Sequence, residues 1–186
     1  MDPTAKRAAL IVVDVQKGFN DPFWGRRNNP EAEENISELL SCWRGSDLPV
    51  FHVRHLSIEE GSPLAPGQPG SEIKDVVHPS ENEPVIEKNV NSAFIGTDLE
   101  ARLRERNIDA VVVTGLTTDH CVSTTTRMAG NLGFDTYVVS DATATFDRTG
   151  PDGKLHEAEK VHEMSLVNLH EEFATIVNTA SLAESF

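Results

Sequence analysis

At 186 residues the chain suits one domain, taken as 1–186, and is long enough to bury a core without metals or disulfides. Hydrophobic residues make up 38% and charged residues 25%, ordinary for a soluble globular protein; no apolar run reaches the ~18 residues of a helical membrane span, which excludes a membrane protein. Sixteen Lys and Arg against thirty Asp and Glu give a formal net charge of -14, which repels phosphate backbones and argues against nucleic acid as a partner.

In chain order, Met1 to Arg7 carries two basic residues, but the apolar stretch behind it is short and runs into Asp14. It does not read as a signal peptide, and a cytoplasmic protein is expected. Ala8 to Val13 is the first buried strand, Pro30 to Trp43 an acidic amphipathic helix, and Val50 to Val53, opened by Pro49, the second strand. A Pro- and Gly-rich loop from about Ser57 to Glu83 exceeds a routine connection, and it is either a lid or binding loop or a solvated excursion. A short strand at Val85–Ile86, a helix over Asp98 to Arg106 and the strongest strand, Ala110 to Thr114, come next. Beyond Gly115 the pattern predicts a helix from Asp119 to Leu132, a strand at Thr136 to Val139, a helix from His156 to Leu169 and a last strand at Ala174 to Val177. Strands alternating with crossover helices predict an α/β fold with three α/β/α layers and a six-stranded, mostly parallel sheet. Ligands of such folds gather at the carboxyl ends of the strands. Those ends hold Asp14, Arg54 and His55, Lys88, the turn from Gly115 to Cys121, and Asp141.

Two cysteines are too few for a disulfide framework or a Cys-rich zinc site, so each is a buried hydrophobe or a reactive thiol. Cys42, in Leu39-Leu40-Ser41-Cys42-Trp43, reads as core. Cys121 falls where a strand turns into a helix, so unpaired N–H groups and the positive end of the helix dipole favour a thiolate and suit an oxyanion. Thr117, Thr118 and Asp119 are all suited to N-capping there. A nucleophilic thiol needs a base. His120 is its neighbour, but successive helical side chains do not face each other. Asp14, ending a central strand, is the better candidate, and Lys88, ending another, balances the charge. The competing readings are a loop cap for Asp14 and a surface charge for Lys88.

Three segments then carry a resemblance: Leu-Ile-Val-Val-Asp-Val-Gln-Lys-Gly-Phe (10–19), Pro-Val-Ile-Glu-Lys-Asn-Val-Asn-Ser-Ala-Phe (84–94) and Val-Val-Thr-Gly-Leu-Thr-Thr-Asp-His-Cys-Val (112–122). In order and spacing, over residues 8 to 177, they resemble the isochorismatase-like cysteine hydrolases, a superfamily that includes nicotinamidases, carbamoylsarcosine and biuret amidohydrolases, and isochorismatases. The resemblance implies a Rossmann-like sheet carrying an Asp14, Lys88, Cys121 triad, which hydrolyses an amide or ureide C–N bond of a small molecule with water through a thioester. It implies a non-proline cis peptide at Leu116–Thr117, turning the Thr117 N–H towards an oxyanion beside the Cys121 N–H. It also implies a homodimer or homotetramer.

His55 lies near the place where nicotinamidases of the superfamily carry an Asp-x-His metal motif. This chain reads Phe51-His52-Val53-Arg54-His55-Leu56 and lacks that pair, so no catalytic metal and no cofactor are expected, and His55 is assigned to the pocket or to a structural hydrogen bond. Phe19, Phe23 and Trp24 are either an apolar wall over a planar substrate or ordinary loop packing. Phe94 stands at a position that faces substrate in the superfamily; Thr118 is also assigned to substrate, Gln16 to positioning Asp14 or Lys88, and Asp141 and Arg148 to structure or an interface. Two rival functions remain. One is a vinyl ether hydrolysis of the isochorismatase kind, whose enzymes generally lack the nucleophilic Cys; the other is a silent scaffold, which has no need of a poised thiol.

Overall fold

The computed structural model describes residues 2–186. The runs Ala9–Val13 (β1) and Ala110–Leu116 (β4) are buried along their whole length, as expected of parallel strands covered on both faces. Around them lie Val50–His55 (β2), Val85–Lys88 (β3), Asp135–Ala144 (β5) and Thr175–Val177 (β8). These form one six-stranded sheet in the order β3-β2-β1-β4-β5-β8, with every pair parallel. Strands Arg148–Thr149 (β6) and Leu155–His156 (β7) make a separate small hairpin, too short to leave a pattern in the sequence.

Side chains alternate across the sheet, and the two faces build two cores. Ile11, Val13, Val111 and Val113 share one with Leu99, Leu103, Ala129 and Leu169, which come from Leu99–Glu105 (α3), Ser123–Asn131 (α4) and Ala158–Leu169 (α5). Leu10, Val12 and Val112 share the other with Ile36, Leu39, Leu40 and Trp43 of Ala32–Gly45 (α2) and Leu182 of Thr179–Ala183 (α6). Each fully buried Leu or Ile contributes about 1.5–3 kcal/mol of hydrophobic stabilisation. The three α/β/α layers follow from this division.

Several elements differ from the sequence-based expectation. β2, β3 and β4 each run two residues further at the carboxyl end, because neighbouring strand ends pair up to His55↔Lys88 and Val13↔Gly115. β5 reaches Ala144 through a register shift against β4 between Val113 and Gly115. Pro3–Lys6 (α1) and α6 carry no long apolar stripe; α6 is secured by a capping box in which Asn178 accepts from the Ser181 N–H. The 57–83 loop holds two 3-10 turns and is tied to the body. Ile73 bridges Gln16, and the Lys74 ammonium reaches Glu33 at 2.6 Å. The strand order reverses between β1 and β4, and the crevice at their carboxyl ends is where the fold places a ligand.

Candidate active site

The chain leaves β1 through Asp14, whose φ of 51° lies in the left-handed region that side chains rarely adopt, a conformation that clusters at functional sites. Its N–H is held by the Val53 carbonyl at 2.9 Å. Lys88 ends β3, and its ammonium donates to Asp14 Oδ2 at 2.6 Å; neither side chain is exposed at all. The same ammonium lies 3.4 Å from Cys121 Sγ and 3.1 Å from His55 Nδ1. Asp14, Lys88 and Cys121 therefore meet as expected, with His55 as a fourth member of the cluster.

The turn carrying Cys121 departs from a simple helix start. The Leu116–Thr117 peptide is cis, as the resemblance implies. Thr118–Val122 then forms a π-helical turn, and α4 begins only at Ser123. The expected N-capping is not made: Thr117 offers no side-chain cap. The Asp119 carboxylate instead accepts from Arg148 Nε at 2.7 Å and from the Thr145 hydroxyl, and the Thr118 hydroxyl pairs with His162 Nδ1 at 2.9 Å. Tertiary ties outcompete local capping because they bind groups already out of water. They give Arg148 partners within the chain, as the two bonds from Thr179 do for Asp141. Gly115, at φ 112°, is required where β4 pairs with the end of β1: a Cβ there would run into the Val13 carbonyl.

Burial raises the Cys121 thiol far above its ordinary value, the Asp14 charge adds to that, and Lys88 pulls the other way. Burial thus favours the protonated form of the sulfur. Its weak donor faces Asn91 Oδ1 at 3.8 Å. Asp14 Oδ1 is buried and has no hydrogen-bond partner among the described residues, an expensive condition for a carboxylate and a ready acceptor for a proton. His120 is 55% exposed, its Nε2 lies 3.4 Å from Asp119, and it belongs to the lining of the cavity over the cluster. Asp14, His55 and Cys121 bring three ligand-type atoms within 4.8 Å of one another. The Lys88 ammonium contacts all three residues, so the cation this donor set holds is the lysine's own.

A cavity of about 460 Å³ opens over the cluster. Of the residues expected to meet a substrate, Phe19, Trp24 and His55 line it, together with Thr117 and Cys121. Phe19 and Trp24 lie 5.0 Å apart and stack with Phe146 below them, forming an aromatic wall fixed by Trp24 Nε1 donating to the Gly18 carbonyl at 2.9 Å. Phe94 and Thr118 do not line the cavity. Phe94 stacks on Phe134 at 6.0 Å against the core, and Thr118 is fully buried with His162. Phe23 is 74% exposed and outside the lining. Gln16 donates its backbone N–H to the Asp14 carbonyl at 2.8 Å, but its side chain bonds to neither the Asp14 nor the Lys88 side chain. Its amide clamps the backbone of His55, donating to the carbonyl at 2.9 Å and accepting from the N–H at 2.8 Å. Cys42 packs at the edge of the second core. Sequence reasoning missed Asn89 and Asn91, although both lie in the quoted 84–94 segment, and the Ser57-to-Leu64 stretch of the long loop, which carries no motif.

Comparison with known proteins agrees with this geometry. Residues 8–181 match the isochorismatase domain. The isochorismatase family protein YrdC of Bacillus subtilis is 51% identical over 97% of both chains. Nicotinamidase 3 of Arabidopsis thaliana is 31% identical over 99% of this chain and 91% of its own. A crystal structure of an isochorismatase-family protein from Chromobacterium violaceum superposes with a TM-score of 0.92 at 44% identity, covering 96% of this chain and 92% of the other. With the domain match spanning nearly the whole chain and an Asp, a Lys and a Cys converging at the carboxyl ends of its strands, the chain belongs to the isochorismatase family of hydrolases.

Proposed function

We propose that this chain is a cysteine hydrolase that cleaves an amide or ureide C–N bond of a small molecule through a thioester on Cys121. The observation that carries the reading is the meeting of a buried thiol, whose proton burial helps to hold, with a buried Asp14 carboxylate oxygen that has no hydrogen-bond partner among the described residues. The thiol needs a base at the moment of attack, and Asp14 is placed to be one. Asp14 takes the Sγ proton as the Sγ–C bond forms. The carbonyl oxygen gathers negative charge and meets the N–H groups of Thr117 and Cys121. Asp14 then gives its proton to the leaving nitrogen, the C–N bond breaks and the thioester remains. Water attacks that ester, loses a proton to Asp14, and the proton returns to sulfur as the acid leaves. Throughout, the Lys88 ammonium offsets whichever of Asp14 and Cys121 is negative.

Phe19 and Trp24 supply an apolar wall suited to a small planar substrate, and His55 lines the same cavity. The name of the Arabidopsis relative, a nicotinamidase, favours an amide as the bond class. A vinyl ether hydrolysis leaves the thiol without a role, and a silent scaffold leaves the whole buried cluster without one.

The test is intact-mass spectrometry after incubation with a panel of primary amides and ureides. Wild type is expected to carry an acyl adduct on Cys121 and to release ammonia or an amine. Cys121→Ala is expected to lose adduct and turnover together, by a factor of at least about 10⁴ in rate. Turnover that persists in Cys121→Ala would sink the proposal.

A further inference from the structure

We propose that His55 is a positioning residue for Lys88: its Nδ1 is the third acceptor of the lysine ammonium and fixes that cation between Asp14 and Cys121. An ammonium has three protons and no lone pair. Lys88 Nζ has three neighbours within reach, Asp14 Oδ2 at 2.6 Å, His55 Nδ1 at 3.1 Å and Cys121 Sγ at 3.4 Å. Each proton thus has its own acceptor. The side chain is fully buried, so an ammonium proton without an acceptor could not turn to water.

The chemistry of the pair sets the tautomer. Facing a pure donor, Nδ1 must present its lone pair, so the ring is neutral with its proton on Nε2. The groups around the ring agree with this. Burial, then the Lys88 charge, hold its proton affinity below that of an ordinary histidine, against smaller opposing pulls from Asp14, the Val90 backbone and Glu59. The ring is held in place from behind, because Gln16, itself fully buried, clasps both backbone polar groups of His55, and the strand register sets His55 directly opposite Lys88.

Lysine has a long flexible stem, and with two acceptors alone it has no fixed centre. Without Nδ1 the ammonium slides onto Asp14 or sheds a proton, and either change withdraws positive charge from the sulfur. This role rests on the reading of Cys121 as the nucleophile but makes a separate prediction about it. Thiolate formation at Cys121 depends on an acceptor at the Nδ1 position, not on an imidazole as such.

Asn and Leu are close in shape, and Asn places an oxygen near Nδ1. His55→Asn and His55→Leu therefore match each other in access to the cavity and differ in the acceptor. Alkylation by iodoacetamide is followed at one mildly alkaline pH, with peptide mapping to separate Cys121 from Cys42. His55→Leu is expected to label at Cys121 at least about tenfold more slowly than wild type, one pKa unit in the thiolate, while His55→Asn stays within about threefold. Long-range proton–nitrogen NMR of 15N-histidine protein, with His55→Asn identifying the resonance, is expected to show the neutral Nε2–H form. Equal labelling of the Leu and Asn variants, or an Nδ1–H or imidazolium ring at His55, overturns the inference. Failure of Cys121 to label in wild type would instead strike at the nucleophile itself. Thermal melts confirm that both variants fold, and His55→Gln, whose oxygen reaches the Nε2 side, is expected not to restore labelling. Rescue by Gln and not by Asn also overturns it.

Discussion

Asp14 and Lys88 form the most buried ion pair in the site, at 2.6 Å with neither side chain exposed. Such a pair is costly to desolvate and more costly to break, because the survivor is a lone buried charge. Lys88→Met should therefore destabilise the protein by about 3–5 kcal/mol, read from urea unfolding. Adding Asp14→Asn to it should recover most of that loss while leaving Cys121 unreactive, because the second change removes the stranded carboxylate but also the base. Strict additivity of the two losses would show that the pair is not coupled. At this scale the sequence was informative about type and silent about partner. Asp14, Lys88 and Cys121 could be picked out as strand-end or helix-start residues in three quoted segments. That His55 Nδ1 would face Lys88, and that Gln16 would grip the His55 backbone, depends on lateral strand register, which no local pattern encodes. Thr118 and Phe94 were misplaced for a related reason. Thr118 follows Thr117 and Phe94 lies three residues past Asn91, but the π-helical turn points Thr118 at His162, and Phe94 turns to Phe134.

Among the elements, β1 and β4 determine where the chemistry sits, and their close approach hinges on Gly115. Its positive φ and the Val13 carbonyl facing its missing Cβ give two independent reasons for glycine. Gly115→Ala should cost about 3 kcal/mol or more in urea unfolding, from backbone strain and overpacking together, and should loosen the turn that carries Cys121. A loss below about 1 kcal/mol would mean that the two strands part easily there. Long apolar elements were legible. β1, β4 and α2 were each found within two residues at one end or the other, because burial on both faces, or a stripe of Ile36, Leu39, Leu40 and Trp43, leaves a strong pattern. The π-helical turn was read as ordinary helix, since Asp119 and Thr118 look like caps until Arg148 and His162 arrive from elsewhere. The β6–β7 hairpin and the 3-10 turns of the long loop, each two or three residues long, fall below the length at which periodicity carries information.

Taken as a whole molecule, the chain should lose stability on acidification in two stages. His52, His55 and His162 are all held below the ordinary histidine value of 6.5, in each case with burial as the largest cause. Between that value and their folded values the unfolded chain binds protons that the folded one refuses, so stability falls as pH drops below about 6.5. Glu33 and Glu83 govern the second stage. Burial alone would raise both, but hydrogen bonds from Arg27 and Lys74 to Glu33, and chiefly from Arg44 to Glu83, outweigh it and hold each at about 2. Their contribution is complete above the unfolded value of 4.5 and is lost as pH falls from there towards 2. The net charge of -14 works in the opposite sense, since acid relieves self-repulsion. That repulsion acts between exposed groups and is screened beyond about 8 Å at physiological ionic strength, whereas the buried groups are screened far less. In moderate salt the buried groups should therefore win. Urea midpoints taken across the acid range should fall first below about 6.5 and again below about 4.5. His52→Gln should shrink the first step, because the buried His52 ring keeps Nδ1 without a partner among the described residues and its protonation has nowhere favourable to go. A midpoint that rises steadily on acidification would mean that surface repulsion dominates and that the buried network contributes little.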